Sequence, residues 1–190
     1  MTARPGEVPS VADVIAEFRH AVVGGAPSRS GVIRLLLQLH ENNALQWERE
    51  DVSRRDGADD HAVAEAKREI DALNRNRHEL VEAIDAALAA AIDQSPSAPP
   101  TTESPGMVFD RLSVLVIRIA VTESAARAER PDRDTFDARL PVLRVQLASL
   151  QQALEALFDD VRTGRRCFVP YRGFKLYEAS GSHGGDTRPD

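Results

Sequence analysis

Cysteine is almost missing from this chain. Cys167 stands alone, so no disulfide can close within the molecule, and a reducing cytoplasm is the expected compartment. Aromatic residues are scarce at 5% and β-branched runs are short, which disfavours a sheet protein. An excess of basic charge is lacking too: 24 Lys and Arg stand against 30 Asp and Glu, a net charge of −6. The two signs alternate along the chain with no basic cluster, so nucleic acid is not an expected partner. Long apolar runs are missing. The most apolar stretch, residues 107–121, carries Asp110, Arg111 and Arg118 and is too short to span a bilayer. No apolar run follows a basic start, so no signal peptide is expected. There is no Gly-rich phosphate loop and no nucleophile elbow.

The residues in abundance are Ala, Leu, Glu, Arg and Asp, all but Asp strong helix formers. A length of 190 residues suits one domain with tails and buries a core without a disulfide or a structural metal. The expected architecture is an all-α, single-domain antiparallel bundle of about five helices with an irregular C-terminal strap. Residues 1–9 read as a loose lead, 10–177 as the bundle and 178–190 as a disordered tail.

The helices follow from caps and periodicity. Ser10 opens the first, and Gly24-Gly25 stops it after about Val23. It contains Glu17 and His20, an i,i+3 pair of the kind bundle metal sites use in duplicate; only one such pair is present, so it reads as surface. Ser28 or Ser30 caps the second, which runs to about Arg55 before the Asp56-Gly57 turn. Asp59 or Asp60 caps the third, which runs to about Ile92. Ser104 and Pro105 open the fourth, apolar nearly all round and therefore expected mid-bundle. Asp132 or Asp134 opens the fifth, which ends near Gly164 and is bent by Pro141. Its seam of Phe136, Leu140, Leu143, Leu147, Leu150, Leu154, Leu157 and Val161 is structural and open to use as a homodimer interface. Residues 165–177, rich in Arg and aromatics, read as the strap.

The second helix breaks the patterning rule. Its seam is Ile33, Leu36, His40, Asn43, Trp47, Glu50 and Arg54, so an inward face turns polar from His40 onward. The third helix carries Arg77 within its apolar line, beside a polar line of Lys67, Asp71, Asn74, His78 and Asp85. A short turn makes the two helices antiparallel. Equal rise then sets Glu50 beside Lys67, Asn43 beside Asn74, His40 beside Arg77 and Trp47 near Asp71. Matched polar positions predict a shared polar interior.

Such an interior has two readings. In one it is a charged pocket between helices two, three and four. There Asn43, Trp47, Arg54, Lys67, Asn74, Arg77, Asp110, Arg111 and, from the strap, Lys175 bind a small anionic metabolite, with Arg118 as a further cation. His40, Glu50, Asp51 and Asp71 are then the acid–base candidates, with His40 the leading one. In the other reading the protein is a non-enzymatic helical adaptor whose polar interior only fixes helix register. A metal could draw on His40, Glu50, Asp51, Asp71 or His78. No close-spaced pair of His ligands appears, and Lys67 and Arg77 repel a cation, so no metal is expected. No motif specifies a cofactor. Cys167 reads as incidental and Ser113 as a packing residue bonded back to a carbonyl.

Four blocks also resemble a known family. They are Leu39-His40-x-x-Asn43-x-x-x-Trp47-x-x-Glu50-Asp51-x-x-Arg54; Lys67-Arg68-x-Ile70-Asp71-x-Leu73-Asn74-x-x-Arg77 with Glu82 and Asp85; Glu103-Ser104-Pro105-Gly106-x-x-x-Asp110-Arg111-Leu112-Ser113-Val114-Leu115; and Tyr171-x-x-x-Lys175-x-Tyr177. In order and spacing they resemble the bacterial domain of unknown function 4254. That resemblance implies a helical fold and no particular reaction. It extends over about residues 30–178, with His78 where the family pattern has Asn.

Overall fold

The computed structural model describes residues 8–21, 31–54 and 59–173. Five helices follow one another: α1 (Val11–Ala21), α2 (Val32–Ser53), α3 (Asp60–Ala91), α4 (Pro105–Arg127) and α5 (Arg133–Arg162). The protein is all-α, and no strand occurs among the described residues. The Gly24-Gly25 stop, the Ser28 and Ser30 caps, the Asp56-Gly57 turn, Lys175, Tyr177 and the 178–190 tail lie outside the described residues.

The caps at Ser10, Asp59 and Ser104 form as local chemistry dictates, whereas Asp132 at the start of α5 makes no side-chain cap bond. The Asp59 carboxylate accepts from the Ala62 amide at 2.8 Å. Ser104 accepts from the Met107 amide, with Pro105 in the first turn where its missing N–H costs nothing. Gly164, at φ 70°, turns the chain out of α5, a left-handed conformation that favours glycine.

α4 touches all four other helices, as its all-round apolar sequence requires. The core gathers Val14 and Phe18 of α1, Leu36 and Leu39 of α2, Ile84 and Leu88 of α3, Phe109 and Leu112 of α4, and Leu154 and Phe158 of α5. The seam of α5 is buried at Leu140, Leu143, Leu147, Leu154 and Val161, with Phe158 in place of Leu157 at the full depth of the core. The strap begins as an extended segment over the loop after α3. Thr101 donates to the Cys167 carbonyl at 2.8 Å and Cys167 to the Pro99 carbonyl at 3.1 Å. Phe168 is 3% exposed and its amide donates to Gln94 Oε1 at 2.8 Å.

Helices α2 and α3 are antiparallel with nearly the expected level, but different residues face each other. Asn76 donates to Asn42 at 2.9 Å, Gln46 to Asn74 at 3.0 Å, and Arg49 pairs with Glu69 at 2.6 Å. The expected partners His40–Arg77, Asn43–Asn74 and Glu50–Lys67 do not form. The reason is helical phase. Each residue advances about 100° around the axis, so the line through Asn42, Gln46 and Arg49 looks at α3. The line through His40, Asn43 and Trp47 looks past it toward α4.

Candidate functional site

The inward face of α2 meets α4 in a buried polar relay. His40 is 1% exposed, Asn43 4% and Ser113 0%. His40 Nδ1 lies 2.9 Å from Ser113 Oγ. Asn43 Nδ2 donates to Ser113 Oγ at 3.1 Å and to Asp110 Oδ1 at 2.9 Å. Asp110 in turn grips the Arg77 guanidinium with both oxygens, Nε donating at 2.8 Å and Nη2 at 2.5 Å. The sequence spacing makes this possible. Asp110 and Ser113 are i,i+3 on α4, and His40 and Asn43 are i,i+3 on α2, so each pair occupies one helical face.

Hydrogen-bond directions follow from the donors. Asn43 Nδ2 can only donate, so Ser113 Oγ accepts there and its own hydroxyl hydrogen is free for His40 Nδ1. That arrangement puts the imidazole proton on Nε2, a tautomer assigned from the network. The His40 ring stacks on Phe18 with centroids 4.5 Å apart and planes 7° apart. Burial pushes the His40 pKa down from 6.5 to about 4, with the Phe18 backbone beside the ring opposing the shift. His40 is therefore neutral at physiological pH. Its Nε2, with Asn43 Oδ1, Gln46 Oε1 and Trp47 Nε1, is buried without a hydrogen-bond partner among the described residues.

A second buried carboxylate anchors the α3–α4 junction. Asp85, 0% exposed, accepts from the Gly106 amide at 2.7 Å through Oδ1 and from the Tyr171 amide at 2.9 Å through Oδ2. Negative charge at the first turn of α4 complements the helix dipole. Gly106 permits the approach: a Cβ there would stand 2.8 Å from Asp85 Oδ1 and 2.9 Å from the Val81 carbonyl oxygen. The strap is fixed further by Tyr171 Oη at 3.0 Å from His78 Nδ1 and by Arg172 paired with Glu82 at 2.7 Å.

Beside the relay, α3, α4 and α5 border an open cleft of about 600 Å³. Arg77, Arg111 and Arg118 line it over an apolar wall of Val114, Leu115 and Leu150. Arg77 belongs to both relay and cleft. Arg111 also pairs with Glu103 at 2.5 Å. Arg118 lies over the Trp47 ring, 5.9 Å from its centroid, and has no carboxylate partner among the described residues.

The other expected site residues fall elsewhere. Lys67, Asp71 and Asp51 are exposed and outside the cleft lining. Arg54 pairs with Glu50 at 2.6 Å on the outer turn of α2, with 72% of its side chain exposed. Asn74 is engaged with Gln46 on the α2–α3 seam. These residues sit where the polar lines of the two helices have rotated away from α4. Ser113 corrects the expectation of a packing residue bonded back to a carbonyl: its hydroxyl joins His40 to Asn43. Asp85 was legible as part of a polar line, but its bond to Gly106 depends on how α4 approaches α3. Asn42 and Asn76, which carry the α2–α3 seam, were not singled out by sequence. Their signal was the clustering of amide residues at 42, 43, 74 and 76 at matching levels. Among the described residues no three His, Cys, Asp or Glu side chains group as a cation would need.

No curated protein and no solved structure matches the chain. The family model described as Protein of unknown function (DUF4254) matches residues 33–169, a span that contains His40, Asn43, Arg77, Asp110, Ser113 and the arginine-lined cleft. The chain belongs to the DUF4254 family.

Proposed function

We propose that the protein binds a small anionic metabolite, bearing a carboxylate or phosphate, in the cleft between α3, α4 and α5. The observation that carries this reading is the convergence of Arg77, Arg111 and Arg118 on one cleft, with Arg118 lacking a carboxylate partner among the described residues. Guanidinium groups match planar oxyanions through paired N–H donors. Asp110 commits two of Arg77's five N–H donors and leaves others for a ligand. The apolar wall accommodates the carbon frame of a metabolite, as small-molecule sites commonly do.

In this reading His40 acts from behind. Neutral and sealed by Phe18, it holds Ser113, which with Asn43 holds Asp110, which orients Arg77. Arg77 and Arg111 are the ligand-binding residues of the expected set that line the cleft. Trp47 supports Arg118 from below. The half-buried Glu50 and the exposed Asp51 and Asp71 have no part in the cleft, so the reading is binding and assigns no reaction to them. A cytoplasmic site suits the lone Cys167, whose thiol donates to the Ala98 carbonyl at 3.1 Å. No helix among the described residues is long and apolar enough to cross a membrane.

Calorimetric titration with inorganic phosphate, pyrophosphate and citrate tests the reading. At least one probe is expected to bind saturably, and Arg118→Gln to weaken it about tenfold, a loss of one charge-assisted contact worth roughly 1.5 kcal/mol, at unchanged melting temperature. Absence of saturable binding by all three, or equal binding by Arg118→Gln, would count against it.

A further inference from the structure

The solvent side of α5 carries a pattern that packing within one chain leaves unused. Among the described helices α5 touches only α4 and α1. From Val145 to Leu154 no residue is charged, although Val145, Gln146, Ala148, Ser149, Gln152 and Ala153 are exposed. The chain as a whole is 28% charged, and a solvated helix face normally shares that character. Val142 and Val145 are 58% and 65% exposed. Ala138, Val142, Val145, Ser149, Gln152 and Ala156 follow one another by alternating steps of four and three, which is one continuous stripe on a helix. It is distinct from the buried leucine seam. Its small residues allow another helix to come close.

The charges bordering this stripe are sorted by sign. Between Arg139 and Asp160, the N-terminal half holds Arg139 and Arg144, and the C-terminal half holds Glu155, Asp159 and Asp160. Such a helix is complementary to a copy of itself running the opposite way. An antiparallel pair crossing near residue 150 sets Val145 against Ala156 and Ser149 against Gln152. It brings Arg144 within two residues of the level of Glu155, and Arg139 within two of Asp160, in both directions at once. A parallel pair would set like charges together. Two-fold symmetry requires this kind of self-complementarity, because one surface must serve both subunits.

We propose that a second copy of this chain docks on the α5 stripe in antiparallel orientation. The charged borders select that orientation and the uncharged middle is desolvated. Within one chain these charges have partners near the surface: Arg144 meets Glu123 at 2.8 Å, Asp159 meets Arg162 at 3.4 Å and Asp160 meets Arg165 at 2.7 Å. Exposed pairs of this kind are worth little and exchange readily. The stripe shares Val145 and Ser149 with the border of the arginine cleft, so the second copy would wall that cleft. The interface rests on the α5 pattern alone and stands or falls separately from anion binding.

Sedimentation velocity of the full chain tests the proposal, since the monomer mass is 20.8 kDa. The wild type is expected at twice that mass in the micromolar range, and Val145→Asp at the monomer mass with unchanged helical circular dichroism. Between residues 139 and 160, Arg139→Glu/Arg144→Glu leaves only acidic charged side chains, and Glu155→Arg/Asp159→Arg leaves Asp160 as the one acidic side chain. Each should self-associate about tenfold or more weakly than wild type, because like charges then face each other. An equimolar mixture of the two should form a heterodimer. A monomeric wild type, a dimeric Val145→Asp, or half-reversed variants that dimerise alone and ignore each other would overturn the proposal.

Discussion

Acidification should weaken this fold through one residue, His40. In the folded state burial holds its pKa at about 4 against 6.5 for a free imidazole. The unfolded chain therefore binds the proton more readily. Between these two values the unfolded state carries more protons, so stability rises with pH and is lost as pH falls. Working the linkage from about pH 7.5 down to about pH 5 gives a loss near 2 kcal/mol from this group alone. Below the folded value the loss levels off at roughly 3 kcal/mol. Those are large fractions of the ~5–15 kcal/mol that holds a domain folded. Urea unfolding of wild type and His40→Asn at the two pH values isolates the effect, because all other titrating groups are common to both proteins. Asn keeps an amide near Ser113 and cannot take up a proton in this range. The variant is expected to be less stable than wild type at neutral pH and to show about 2 kcal/mol less loss on acidification. An identical pH dependence in the two proteins would refute the assignment of His40 as a buried neutral group.

Three further outcomes follow from the geometry. Gly106→Ala should lower the melting temperature, because its Cβ would press on the Val81 carbonyl at 2.9 Å; overpacking costs about 1–3 kcal/mol, more than alanine's helix propensity returns, and an unchanged melt would contradict this. Asp85→Ala should cost about 2 kcal/mol or more by stranding the Gly106 and Tyr171 amides, and hydrogen exchange at Tyr171 should accelerate; unchanged protection there would show the strap is held otherwise. Arg77→Lys should weaken phosphate binding about tenfold by losing the two-pronged grip on Asp110, whereas Lys67→Ala, on the exposed flank of α3, should leave it unaltered in the same titration.

The helices were legible because their signals are local. Ser104-Pro105 and Asp59 are caps in the sequence and caps in the structure, and the leucine line of α5 is buried along most of its length. The level at which α2 meets α3 was nearly right as well, since it needs only an antiparallel turn and equal rise. The partners were not. Two polar lines run along α2, one through Asn42 and Gln46 and one through His40 and Asn43. Which line faces α3 depends on where α4 wedges in, and no local pattern encodes that angle. For the same reason more residues were expected on the inward faces than lie there. Lys67, Asp71 and Asp51 share helical lines with buried residues yet lie on their solvent flank. Ser113 was the reverse case: a hydroxyl in an apolar helix looks like filler until Asp110 is seen three residues before it. His40, Asn43, Arg77, Asp110 and Arg111 all stood out in the sequence as polar groups in apolar company, and the first four meet in one hydrogen-bonded chain through Ser113.

The most direct test of the arginine cleft reads the side chains themselves. Two-dimensional NMR of the arginine Nε–Hε groups during phosphate titration should move Arg77, Arg111 and Arg118 along one saturable curve while the outlying Arg49 and Arg172 stay in place. A uniform, non-saturating drift of all arginine signals, or saturable shifts confined to arginines away from the cleft, would contradict the account.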